Sequence, residues 1–203
     1  MIQKQSRKCN ELYIHCLLSN GERCPRPFGE TLRVIRSNEI FHFDFLSMPK
    51  GINSFCYVLI LKDGISGFSE FVPTTTATTE VIVHALLEWV KRHGIVLWWV
   101  SDQGSRFKNK VMRRLRKILG ANKYFVTADS PWVKGTVEVM NRHLLKAIRS
   151  ILSNRKLTID NCPRLLSLCQ SSLNRLPSSC LGGVTPITAF AASPATYQIS
   201  VIY

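Results

Sequence analysis

The stretch "IFHFDFL" alternates Phe41, Phe43 and Phe45 with His42, Asp44 and Leu46, the two-residue period of a strand whose faces differ. Asp44 is thereby placed mid-strand. Further on, "FCYVLILKDGISGFSEFVP" reads as an apolar strand from Tyr57 to Leu61, a turn at Lys62-Asp63-Gly64 and a second strand around Phe68 to Val72. The period then changes. Val81, Ile82, Ala85, Leu86, Trp89 and Val90 recur at three- and four-residue steps, which predicts a helix stopped by Gly94 behind a basic last turn. "IVLWWVSD" has the near-continuous apolar character of a strand covered on both faces, ending at Ser101-Asp102. A second helix is predicted from Phe107, Val111, Leu115, Ile118 and Leu119 and is closed by Gly120. "KYFVTAD" gives a short strand. Pro131 sits near the start of a helix carried by Val137, Met140, Leu144, Ala147, Ile148 and Ile151, with a shorter one around Arg164 to Asn174 and a candidate last one from Thr185 to Ala191.

Three strands, a helix, a strand, a helix, a strand and closing helices predict an α/β domain with a mixed sheet, an antiparallel ribbon and helices on its faces. The 203 residues suit one domain. Its expected core runs from 39 to 178, after a lead-in over 1 to 38 rich in turn formers and before an extension over 179 to 203. At 45% hydrophobic and 9% aromatic residues the chain is too apolar for disorder, and it has no run of the roughly 18 apolar residues needed to span a membrane. The segment after Met1 lacks the apolar stretch of a secretory signal, so a soluble intracellular protein is expected. A formal charge of +14, from 27 Lys and Arg against 13 Asp and Glu, favours a polyanionic partner, with nucleic acid first. The seven cysteines are expected to be reduced. Zinc is not expected: Cys9, Cys16, Cys24 and His15 include no C-x-x-C pair.

Asp44 in its strand, Asp102 at a strand's end and Glu138 on the first turn of a helix are the carboxylates that need a reason. A carboxylate among aromatic residues is costly to desolvate, and three that converge repel one another unless a cation joins them. Magnesium, with hard oxygen ligands and an affinity for phosphates, answers both problems. Two such ions about 4 Å apart clamp the attacking and leaving oxygens of a phosphoryl transfer. On the helix, Arg142, Lys146 and Arg149 share the face of Glu138, where they would follow a nucleic-acid backbone. A plain Glu138 to Arg142 pair on an exposed helix accounts for the same pattern.

"HFDFL", "SDQGSRFKN", "SPWVKGTVEVMNR" and "SSLNRLPSS…GGVTPITAF" resemble the integrase catalytic core of gypsy-type LTR retrotransposons and retroviruses, and the 35 residues between Asp102 and Glu138 match that family's interval. The resemblance extends over roughly residues 25 to 191. It implies a ribonuclease-H-like fold with a mixed five-stranded sheet flanked by helices. It also implies Asp44, Asp102 and Glu138 as catalytic ligands of Mg2+ or Mn2+, acting in 3′-end processing of element DNA and in strand transfer. DNA, a homo-oligomer and a nuclear location at the integration step follow as expectations, as do DNA contacts from Arg106, Lys108, Lys134, Arg142, Lys146 and Arg149. Gly104, after the second aspartate, matches the family's turn, where it would let backbone approach substrate or metal.

The departures are Lys134-Gly135 where the family has "NG", and Asp129 where it has the tyrosine of "YSPW". The family's upstream zinc module is expected to be truncated here, with "YIHC" in place of C-x-x-C, and no downstream β-barrel or chromodomain is expected. These departures motivate an alternative, a catalytically inactive retroelement-derived remnant that binds nucleic acid. A ribonuclease H proper is a third reading. His42 is expected to make a structural hydrogen bond, Trp98 and Trp99 to pack in the core, and Asp63 and Glu70 to be turn and edge charges beside the hairpin. The run from Arg113 to Lys117 reads equally as a solvated helix face or a DNA contact.

Overall fold

The computed structural model describes residues 36–102, 104–125 and 131–192, with the backbone alone described at 123–125, 131–136 and 159. Five strands form one sheet in the order β3-β2-β1-β4-β5: β1 (Ile40–Ser47), β2 (Tyr57–Asp63), β3 (Ser69–Thr74), β4 (Trp98–Ser101) and β5 (Asn122–Phe125). β1, β2 and β3 are antiparallel neighbours, whereas β4 runs parallel to β1 and β5 parallel to β4. The mixed five-stranded sheet expected from the sequence is thus present. The helices are α1 (Thr79–His93), α2 (Lys110–Ile118), α3 (Pro131–Arg155), α4 (Cys162–Arg175) and α5 (Pro186–Ala191).

The alternation in β1 separates two apolar layers. Phe41 and Phe43 join Leu59, Leu61 and Trp99 under α1 and α2 residues such as Trp89 and Met112, whereas Val58, Ile60 and Phe71 meet Val137, Met140, Leu144 and Leu166 of α3 and α4. β1 therefore lies mid-sheet with Asp44 on its α3 side. α5 caps the first layer, its Phe190 ring stacked on Phe68 at 4.6 Å between centroids, so the extension expected past residue 178 packs on the core through this helix. α1 stops where expected, with Gly94 at φ 86°, a conformation that disfavours a side chain.

Several boundaries and faces differ from the sequence reading. β2 continues through Asp63, and the turn follows it at 64 to 66. In α2 the inward residues are Met112, Leu115 and Leu119, while Val111 and Ile118 are 52% and 63% exposed. The cause is where the helix starts: Asn109 caps it by accepting from the Met112 N–H at 3.0 Å, which leaves Phe107 outside the helix in a turn, buried against Phe43. Trp99 is core as expected, whereas Trp98 is half-exposed.

Asp63 and Glu70 are not exposed turn and edge charges. Asp63 is fully buried and accepts from Asn38 N at 2.7 Å, Ser66 N at 2.8 Å and Ser66 Oγ at 2.6 Å, closing the turn around its carboxylate. Glu70, 6% exposed, takes both guanidinium nitrogens of Arg92 at 2.5 and 2.7 Å and lies 3.2 Å from His93 Nε2. Buried carboxylates persist because each is saturated with donors. The outer edge of β3 is occupied in the same manner by side chains of α4. Asn174 exchanges two hydrogen bonds with the Ser69 backbone, and Gln170 Oε1 accepts from Phe71 N at 2.8 Å.

Candidate functional site

Asp44 projects from β1 towards α3 and is half-buried, its Oδ1 accepting from the Phe45 N–H at 2.8 Å. Burial pushes its carboxyl above the usual range. The Phe45 hydrogen bond opposes this, the negative charge of Asp102 adds to it, the Arg106 cation opposes, and the charge of Glu138 adds again. The charges of Asp102, at the end of β4, and of Glu138, on α3, are thus both felt at Asp44 on β1.

Asp102 follows β4 directly, and its Oδ1 accepts from the Gly104 N–H at 2.9 Å. A Cβ on Gly104 would lie 3.0 Å from that same oxygen, so the glycine leaves room for the aspartate's own carboxylate. This is a different reason from the close backbone approach expected of it. Glu138 is exposed and lies seven residues after Pro131, about two turns into α3 rather than on its first turn. The long α3 extends further back along its axis than the apolar pattern indicates.

The donor set fits a hard divalent cation: it is all carboxylate oxygen, and a cation would oppose the rise that burial and the charges of Asp102 and Glu138 produce at Asp44. Among the described residues, no three Asp, Glu, His or Cys side chains stand close enough to hold an ion as they are placed. Glu138 lies on the solvent side of its helix.

The basic residues sort by position. Arg142 and Arg149 are exposed, and Lys146 is half-buried along the Glu138 side of α3, opposite the buried Val137, Met140 and Leu144. Arg106 places its guanidinium over the rings of Phe45 and Phe107, at 5.4 and 5.7 Å from their centroids, beside Asp44. Lys108 is exposed, and the side chain of Lys134 lies outside those described, as do Gln103 and Asp129.

Two further polar groups border the site. His42, on the same face of β1 as Asp44, is 8% exposed, and its Nδ1 has no hydrogen-bond partner among the described residues, so the structural bond expected of it is not made at that nitrogen. Burial, helped by the Lys62 cation, pushes it down to about 4, so the ring is neutral at pH 7. Asn141 Oδ1 is likewise buried without a partner, one turn beyond Glu138 on α3. Its spacing of three from Glu138 sets it near that residue along the helix, but an asparagine there gives no signal in the sequence by itself.

No family model matches the chain. It is 28% identical over 180 residues, 88% of its length, to the Gag-Pol polyprotein of baboon endogenous virus (strain M7), of which it spans 10%. Among solved structures, a simian T-cell lymphotropic virus intasome in complex with a PP2A regulatory subunit matches with a TM-score of 0.69 and 20% identity, over 91% of this chain and 65% of that one. The HTLV-2 integrase catalytic core domain in complex with magnesium matches with a TM-score of 0.63 and 18% identity, over 78% of this chain and 99% of that one. The chain is thus a relative of retroviral Pol polyproteins with the fold of a retroviral integrase catalytic core.

Proposed function

We propose that the chain is the catalytic core of a retroelement integrase, a polynucleotidyl transferase acting on DNA phosphodiesters in 3′-end processing and strand transfer. The observation that carries this is the electrostatic meeting of Asp102 and Glu138 at Asp44, at the edge of a basic helix face. Asp44, Asp102 and Glu138 would hold Mg2+ or Mn2+, which when bound supplies Lewis-acid stabilisation of charge on the reacting phosphate oxygens and activates the attacking hydroxyl. The HTLV-2 core described with magnesium supports that choice of ion. The protein's own part is positional. The Gly104 N–H fixes the Asp102 carboxylate, and the Phe45 N–H fixes that of Asp44. Arg106, Lys108, Lys134, Arg142, Lys146 and Arg149 would engage the DNA backbone. An oligomer belongs to the same reading, supported by the intasome and by the trimeric form of the HTLV-2 core, and a nuclear location at the integration step is proposed with it.

Calorimetric titration with Mn2+ and a disintegration assay on a branched DNA test this reading together. The wild-type chain is expected to bind the ion and resolve the DNA, and Asp44→Asn, Asp102→Asn and Glu138→Gln to lose both. The second reading, an inactive nucleic-acid-binding remnant, is favoured by the spacing of the carboxylates, which form no ready three-ligand group among the described residues. Salt-sensitive DNA binding indifferent to Asp102→Asn, without strand transfer, decides for it.

A further inference from the structure

A cleft of about 740 Å3 lies between α2 and the starts of β4 and β5, lined by Trp98, Lys110, Arg113, Arg114, Arg116 and Lys117 and, among the described residues, by no acidic one. Trp98 opens β4 and Asp102 follows its end. At about 3.3 Å per residue, the cleft is on the order of 13 Å along the sheet from the carboxylates, at the opposite end of the strands. It is a separate surface from the basic face of α3.

Lys110, Arg113, Arg114 and Lys117 recur at the three- and four-residue steps of one helix face, within about 100° of one another and opposite the buried Met112. All four are exposed, and none of the five cations of the cleft forms an ion pair among the described residues. Like charges at these spacings destabilise an isolated helix. The apolar residues of α2 account for its packing and require no such charge on the outer face. A solvated face would carry both signs, as α1 does with its Glu88–Lys91 pair at 3.6 Å. From Lys110 to Lys117 is about 10 Å, a length over which one strand of B-form DNA presents about three phosphates. The half-exposed Trp98 adds an apolar surface at the cleft floor for sugar or base.

We propose that this cleft is a second nucleic-acid backbone site, holding a DNA segment at the end of the sheet away from the carboxylates. The inference rests on the DNA reading above for the identity of the polyanion. It goes beyond that reading in giving one chain two separate DNA surfaces.

The test measures binding of the 203-residue chain to a 30-base-pair duplex across a salt series. The variant is Lys110→Gln, Arg113→Gln, Arg114→Gln and Lys117→Gln combined. A control neutralises four exposed cations elsewhere, Lys50, Arg155, Lys156 and Arg164, to glutamine. At about 0.9 per phosphate, losing three contacts lowers the slope of log K against log salt by about 3. Between 50 and 200 mM salt the wild-type chain then loses about 40-fold more affinity than the variant. The control is expected to keep a slope within about one of wild type, and the charge-preserving Arg113→Lys, Arg114→Lys variant, with Lys110 and Lys117 unchanged, to keep the wild-type slope. Equal loss in variant and control overturns the site and leaves only general charge, and an unchanged slope in the variant overturns it outright. Absence of duplex binding by the wild-type chain sinks the DNA reading as well, which separates the two failures. Thermal melting checks the fold, and the variant is expected to melt no lower than wild type.

Discussion

Asn174→Ala removes the side chain that finishes the exposed edge of the sheet. Asn174 is 3% exposed; its Oδ1 accepts from Ser69 N at 2.9 Å and its Nδ2 donates to Ser69 O at 2.8 Å, across 105 residues of sequence. Each bond contributes about 1 kcal/mol net, but truncation also strands a buried N–H and a buried C=O, at about 1 to 3 kcal/mol each where water does not reach them. Water entering the vacated volume recovers part of that loss, so the expected cost is about 2 to 4 kcal/mol. For a domain of this size that corresponds to a fall of roughly 5 to 15 °C in melting temperature. Urea unfolding followed by circular dichroism measures it. Asn174→Asp separates the two bonds: it keeps an acceptor for Ser69 N–H and sets a carboxylate against Ser69 C=O, so at neutral pH it should be at least as damaging. An alanine variant within 0.5 kcal/mol of wild type would refute the reasoning, because Ser69 would then have other partners at hand.

Gly104→Ala places a Cβ 3.0 Å from Asp102 Oδ1 and forces the carboxylate to shift by a few tenths of an ångström. DNA cleavage should drop by about tenfold or more with little change in melting temperature, and full activity in the variant would show that the position of Asp102 tolerates the shift. For Glu70, burial alone would raise the carboxyl, but the hydrogen bonds and charges of His93 and Arg92 outweigh it and hold it below its ordinary 4.5. A depressed carboxylate stabilises the fold above its unfolded pKa and loses that contribution as pH falls through the folded value, so stability should decline below about pH 4.5, and Glu70→Gln should flatten the decline in pH-dependent unfolding curves. Cys169 is fully buried with its thiol pushed up to about 12 by burial, whereas Cys180 is exposed. Alkylation mapped by mass spectrometry at pH 8 should label Cys180 in the native chain and Cys169 only on unfolding; rapid native labelling of Cys169 would contradict its placement.

The strands and helices were legible where a period is strong and uninterrupted. β1 shows its two faces because every second residue from Phe41 to Phe45 is aromatic, and α1 shows both its stripe and its glycine stop. α2 misled because Val111 and Ile118 are apolar and helically spaced yet lie on the flank. Apolar periodicity cannot choose between two faces about 100° apart, whereas the capping bond from Asn109 to Met112 does. The candidate carboxylates stood out in the sequence for a related reason: each breaks a local pattern, a charge inside an aromatic strand, at the end of a buried one, or among cations on a helix. Asn141 breaks no pattern, since an asparagine on a partly exposed helix is unexceptional, and only its burial without a partner marks it.

Polar residues that serve the fold are hidden by the same logic, because what makes them structural is a partner remote in the chain. Asp63 and Glu70 are acidic residues beside a turn, and composition sends such residues to the surface. Their donors decide otherwise: Asn38 lies 25 residues before Asp63, and Arg92 lies 22 after Glu70. Asn174 reaches Ser69 from 105 residues away. A buried polar group is held in place by saturation of its hydrogen bonds, and saturation depends on the assembled fold. Asp44 is the contrast. Its Oδ1 has a backbone donor, yet two other carboxylates act on it and its carboxyl is pushed upward, whereas Glu70, with cations around it, is held low. Glu70 has its charge met within the fold by Arg92 and His93, whereas at Asp44 burial and the charges of Asp102 and Glu138 outweigh what the Phe45 N–H and Arg106 supply.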